Sequence, residues 1–86
     1  MANKIIVYTK NNCPNCLRAK MLFESCPVEV EIEERNIEIE PSYRMILENE
    51  LNSQTLPTFV FRDEYGDLQA VIRGFDEGEI MTELGL

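Results

Sequence analysis

Ile5-Ile6-Val7-Tyr8-Thr9-Lys10-Asn11-Asn12-Cys13-Pro14-Asn15-Cys16 joins an apolar run, a polar turn and a pair of thiols within twelve residues. Ile5–Tyr8 is short, unbroken and rich in β-branched residues, which predicts a strand buried on both faces. Pro14 suits the first position of a helix, where its missing N–H costs nothing and its fixed φ is already correct. Asn12 or Cys13 is then the cap. Residues three apart on a helix share one side, so Cys13 and Cys16 fall within the short separation that a disulfide requires. The first thiol lies among free N–H groups at the positive end of the helix dipole, which favours thiolate over thiol. A strand that delivers two thiols to a helix start is an arrangement for making and breaking disulfides.

Outward from this stretch, the pattern predicts six further elements. A helix runs from Asn15 to about Ser25, with apolar positions at Leu17, Met21, Leu22 and Phe23. Pro27 disfavours helical geometry at Cys26 and ends it there; Cys26 itself reads as a small buried side chain. Val28, Val30 and Ile32 alternate with Glu29, Glu31 and Glu33, the pattern of a strand with one buried and one wet face. A second helix starts at Pro41-Ser42 and reaches about Leu51, with Tyr43, Ile46, Leu47 and Leu51 inward. Thr58–Phe61 and Leu68–Ile72 form a hairpin around Asp63–Asp67. Asp76, with Glu79 three residues on, opens a short last helix to about Leu84. Tyr8, Phe23, Phe59 and Phe61 read as core. The order βαβαββα predicts an α/β fold, a four-stranded mixed sheet flanked by three helices. The first β-α-β is a parallel crossover and the closing hairpin antiparallel.

Eighty-six residues fit one domain, 1–86, with a modest core. No apolar run approaches the roughly 20 residues that span a bilayer, so no membrane role is expected. Met1-Ala2-Asn3-Lys4 precedes only four strongly apolar residues, too few for a signal-peptide core, and the expected compartment is cytoplasmic. Three cysteines do not make a disulfide scaffold, and a C-x-x-C beside a βαβ pattern reads as redox chemistry. Structural zinc takes about four Cys or His ligands, and the chain offers one further cysteine and no histidine, so no metal site is expected. The net charge of −8 argues against nucleic acid as partner. Its distribution is uneven. Residues 1–23 hold Lys4, Lys10, Arg18 and Lys20 with no acid, whereas the remainder holds all sixteen acids against four basic residues. The thiols therefore sit in the positive stretch, which suits an anionic small substrate, unless those side chains only form a wet helix face.

Three motifs together resemble the glutaredoxins, within the thioredoxin-fold redox proteins. They are Lys10-Asn11-Asn12-Cys13-Pro14-Asn15-Cys16-Leu17-Arg18-Ala19-Lys20, then Thr55-Leu56-Pro57, then Gly74-Phe75-Asp76. The resemblance implies a thioredoxin-like fold, with Cys13 the nucleophile and Cys16 the resolving thiol of a redox-active disulfide. It implies a cis peptide before Pro57, turning the Leu56 backbone towards a peptide-like substrate that can pair with it as an added strand. It also implies glutathione contacts at Lys10, Leu56, Pro57, Gly74, Phe75 and Asp76, with Glu77 beside them. Two positions depart from the family pattern: Asn15 replaces its usual tyrosine, and Arg73 precedes Gly74 where a second glycine is usual. Arg73 offers an added anion contact.

The reaction expected is thiol–disulfide exchange. With no histidine in the chain, activation rests on the helix terminus and Lys10, which should hold the Cys13 thiol below its free value of about 8.5. The resemblance implies a dithiol glutaredoxin acting as a monomer on glutathione mixed disulfides and protein clients such as ribonucleotide reductase. Glutathione serves as co-substrate and no cofactor is bound. One alternative is a redoxin recharged by thioredoxin reductase. Another is a dimer whose Cys13 thiolates hold an iron–sulfur cluster with glutathione.

Overall fold

The computed structural model describes residues 2–25 and 29–85. Its elements follow the expected order. They are β1 (Lys4–Thr9), α1 (Pro14–Ser25), β2 (Glu31–Asn36), α2 (Ser42–Met45), β3 (Thr58–Arg62), β4 (Leu68–Arg73) and α3 (Glu77–Glu83). The sheet runs β2-β1-β3-β4, with β1 parallel to β2 and both other pairings antiparallel. Strand β1 is therefore hydrogen-bonded on both sides, as its uninterrupted apolar run predicts.

The two-residue period of β1 divides the core. Ile5 and Val7 pack with Ala19 of α1, with Phe59, Phe61 and Ile72 of the hairpin, and with Ile80 and Leu84 at α3. Phe23 meets Phe59 edge-on, ring centroids 5.9 Å apart. Ile6 and Tyr8 point the other way, joining Val60, Ile37 and Leu47, with Tyr43, Ile46, Leu51 and Leu56 closing that cluster. Helices thus cover both faces, and the four aromatic residues expected in the core lie there.

Three local readings are corrected. In α1, Leu17 and Met21 are 59% and 60% exposed, and the buried face is carried by Cys16 and Ala19 instead. Leu22 and Phe23, also expected inward, do pack on the first cluster, so the buried stripe runs through Cys16, Ala19 and Phe23 and leaves Leu17 and Met21 to one side. Strand β2 begins at Glu31, later than the alternation from Val28 implies, and Ile32 is 42% exposed at the open sheet edge. The ladder begins there because Lys4, the first residue of β1, pairs with Glu31. The second helix is not regular: α2 widens into π-helical turns over Ile46–Glu50, closed by the Leu51 N–H bonding to the Ile46 carbonyl at 3.1 Å. Its four expected inward residues all join the second cluster. The readings on Cys26, Pro27 and Val28 fall outside the described residues. Among those described, no helix is long and apolar enough to cross a membrane.

The edge strand is held by charge. Lys4 pairs with Glu33 at 3.1 Å, Arg35 also pairs with Glu33, and Lys20 of α1 reaches Glu34 at 3.0 Å. Thr9 donates its hydroxyl to Glu34 at 2.7 Å. The Arg35 side chain, and then Lys4, hold the Glu33 carboxyl below its ordinary 4.5. Partial burial opposes the charged form of Glu34, yet the Thr9 hydroxyl and the Lys20 ammonium outweigh it and keep that carboxyl lowered too.

Two outcomes follow from this packing. Ile5→Val should lower the unfolding free energy by about 0.5–1.5 kcal/mol, whereas Ile39→Val, at a side chain 77% exposed, should change it by under about 0.5 kcal/mol. Urea unfolding of both variants checks the ranking, and equal losses would contradict it. Carboxylates with lowered folded values contribute stability that is complete above 4.5 and lost as the pH falls below it. Glu34→Gln should therefore flatten the acid limb of stability against pH; an unchanged slope would remove Glu34 from that linkage.

Candidate active site

Cys13 stands at the turn into α1. Its carbonyl accepts the Leu17 N–H at 3.1 Å, so Cys13 is the cap and Pro14 the first helical residue. Its sulfur accepts the Cys16 backbone N–H at 3.2 Å. This is the contact expected to favour a thiolate at a helix start. The two cysteines are bonded to each other as a disulfide, with Cα atoms 5.2 Å apart. They are not equivalent. Cys16 is buried at 4% exposure, while Cys13 is half-buried and reachable. An incoming disulfide can meet Cys13 first; Cys16 is placed to attack from behind.

The loop that leads into α1 is shaped by Asn12, whose φ of 54° is left-handed, a conformation asparagine adopts more readily than most residues. The segment before β3 shares a cavity with the start of this loop, through Leu56 and Lys10. The Leu56–Pro57 peptide is cis, as the family resemblance implied. Among the described residues, neither the N–H nor the carbonyl of Leu56 has a hydrogen-bond partner, so both remain available to a substrate. The segment is braced from beneath. Thr58 donates its hydroxyl to the Thr55 carbonyl at 2.6 Å, Ser53 and Thr58 hydroxyls meet at 2.8 Å, and the Ser53 oxygen accepts the Thr55 N–H at 3.2 Å. Ser53 and Thr58 are buried. Sequence reading passed over both, since short hydroxyl residues beside a loop resemble ordinary turn formers.

The third motif packs against the second. Gly74 donates its N–H to the Pro57 carbonyl at 2.8 Å, with φ of 89°. A side chain here would be strained by the backbone alone. Phe75 packs on the first core cluster, and the Asp76 carboxylate caps α3 by accepting the Glu79 N–H at 3.0 Å. The Arg73 guanidinium donates to the Leu51 carbonyl at 2.6 and 3.2 Å, tying β4 to the end of the π-helical turns.

The cationic stretch is also redistributed. Lys4 and Lys20 are bound to the acids of β2, and Arg18 donates to Asn15 on its own helix at 3.3 Å. Lys10 alone of the four lines a cavity of ≈ 350 Å³ with Leu56, Gln54, Ile37, Leu47, Arg44 and Glu48. Gly74, Phe75 and Asp76 do not line it. Arg44 was not singled out from the sequence because it lies far from every motif; the α2 crossover brings it beside Lys10. A cavity with two cations next to an unsatisfied backbone edge suits a carboxylate on a short peptide-like thiol.

Comparison with known proteins gives the family and the fold. The family model described as Glutaredoxin matches residues 5–65. Among solved structures, the thioredoxin-like protein BC3987 is 28% identical, with 92% of this chain and 97% of that one covered at a TM-score of 0.71. Plasmodium falciparum thioredoxin aligns at 20% identity over 99% of this chain and 71% of its own, with a TM-score of 0.75. Aeropyrum pernix thioredoxin aligns at 23% identity, 98% and 73% coverage and a TM-score of 0.64. The last two show a shared thioredoxin-like fold. No curated protein sequence matches the chain.

The hydroxyl brace gives a direct test. Thr58→Val removes the donor to Thr55 and the partner of Ser53, and should cost about 1–3 kcal/mol in chemical denaturation; a loss below about 0.5 kcal/mol would show that the brace is dispensable.

Proposed function

Because the chain belongs to the glutaredoxin family and carries a bonded Cys13–Cys16 pair, it is a thiol–disulfide redox protein, and we propose that it is a dithiol glutaredoxin reduced by glutathione. The observation that carries this reading is the unlike burial of the two sulfurs at one helix start; Lys10, three residues before Cys13, lines a cavity with Arg44. The Cys13 thiolate attacks a glutathione mixed disulfide or a protein disulfide. A new S–S bond forms to Cys13 as the old one breaks, and the leaving thiolate takes a proton from water. Cys16 then attacks the Cys13 sulfur, releasing the second thiol and closing the internal disulfide. Two glutathione molecules return two electrons to that disulfide and leave as oxidised glutathione. On a glutathione adduct, a second glutathione can resolve Cys13 without Cys16.

Glutathione recognition in this reading draws on Leu56, whose backbone pairs with the peptide, and on Lys10 and Arg44, which hold a carboxylate. Glu48 in the same cavity moderates the positive charge. Asp76 and Glu77 repel a carboxylate, so their contribution is to the amino end of the tripeptide. Reducing conditions such as those of the cytoplasm keep the pair supplied with electrons, and protein clients such as ribonucleotide reductase present disulfides of the required kind. A second reading, recharging by thioredoxin reductase, is favoured by Arg73, which occupies the usual glycine position and is anchored to Leu51.

Supplying NADPH and a small glutathione mixed disulfide separates the two. Turnover should require glutathione with its reductase, and turnover only with thioredoxin reductase would overturn the choice. Cys13→Ser should abolish activity and Cys16→Ser should retain deglutathionylation. Replacing Lys10 and Arg44 together by Ala should raise KM for the mixed disulfide about tenfold, with kcat much less affected.

A further inference from the structure

The short loop between β1 and α1 sets where the nucleophilic sulfur lies, yet its backbone is held mainly by side chains. The Asn11 N–H is donated to Glu38 Oε1 at 3.2 Å, and Asn11 Nδ2 to Glu38 Oε2 at 3.4 Å. Asn36, the last residue of β2, donates from Nδ2 to Asn11 Oδ1 at 3.1 Å and accepts the Glu38 N–H on Oδ1 at 2.9 Å. Each of the three residues therefore bonds the other two, and the ring fastens the loop after β1 to the loop after β2. It is a surface ring, and removes little apolar area from water. What it fixes is the entry to Asn12, in its left-handed conformation, and so the place where Cys13 caps α1.

We infer that Glu38 is a positioning residue for the Cys13 nucleophile, acting through Asn11. The physical basis is the alignment between the Cys13 sulfur and the Cys16 N–H. A hydrogen bond to a thiolate keeps its strength only while the donor points at the sulfur. Both groups belong to a helix whose first turn is reached through the Asn11–Asn12 backbone. With the ring intact the loop has one conformation; with Glu38 removed it samples several, and the thiolate is stabilised for only part of the time. The carboxylate is used for its two acceptor oxygens. Its negative charge works slightly against a neighbouring thiolate, which gives the positioning role a sign opposite to a purely electrostatic one. The inference rests on thiol–disulfide chemistry at Cys13 and is independent of which reductant supplies the electrons.

The test is alkylation of Cys13 by iodoacetamide as a function of pH in the Cys16→Ser protein, which keeps the residue-16 N–H, with peptide masses separating Cys13 from Cys26. Glu38→Ala should raise the thiolate midpoint and slow alkylation at neutral pH about threefold. Glu38→Gln keeps an acceptor for the Asn11 N–H and should restore most of the rate. Should Glu38→Ala fail to fold, Asn36→Ala, which frees Asn11 Oδ1, must show the same rise. A midpoint that is unchanged or lowered in these folded variants would overturn the inference. If Cys13 of the Cys16→Ser parent does not alkylate as a thiolate at all, the thiol–disulfide reading itself fails and this inference with it.

Discussion

The hydrogen bond from the Cys16 backbone N–H to the Cys13 sulfur organises this molecule. A thiolate in water is stabilised by solvent that reorients freely; here the donor is a peptide group that cannot leave. For that donor to be free, residue 16 must lie in the first turn of a helix, where N–H groups have no carbonyl four residues behind them. For the sulfur to meet it, Cys13 must be the cap. For the helix to start there, β1 must end at Thr9 and be immobile. The burial of Ile5, Val7 and Tyr8 between strands on both sides supplies that immobility. The sheet is thus the foundation of one short contact at its end.

The charges are arranged around the same need. Positive residues in the first third of the chain appear to the eye as a single field around the thiols, but two of them are spent on the acids of β2. These pairs lie along the open sheet edge, where a row of carboxylates would otherwise repel itself and where charge discourages pairing with another strand. Lys10 and Arg44 remain for the cavity beside Leu56. A net charge of −8 is thereby compatible with a locally cationic pocket, because the acids are held elsewhere or, as with Glu48, admitted singly.

Much of this was legible before the structure. Continuous apolar character at Ile5–Tyr8, Pro14 after Cys13, and the Asp76 cap each follow from local chemistry that tertiary context does not alter. Leu17 and Met21 misled because a helical period shows only that apolar residues share a face; it does not reveal which line along that face meets the sheet, and here the line runs through Cys16, Ala19 and Phe23. The start of β2 was misplaced because alternation persists beyond the point where a partner strand exists. Arg44, Ser53 and Thr58 were missed for another reason: each acts on a residue brought near by the crossover or by a tight turn, and no periodicity marks such a meeting.

The ring of Asn11, Asn36 and Glu38 shows a division of labour between core and surface. Apolar burial is strong and non-directional, so it fixes where β1 and α1 lie without fixing the path between them. Directional bonds at the surface are weak singly, but they specify angles. A reactive sulfur requires both. Were the loop after β1 buried, its unpaired peptide groups would carry a large desolvation cost and the sulfur would be closed to substrates. Left exposed and unbraced, it would wander. Bracing it by side chains of the neighbouring strand end keeps Cys13 half-open while its immediate donor stays aligned, and lets the buried Cys16 remain the fixed point against which the exchange is completed.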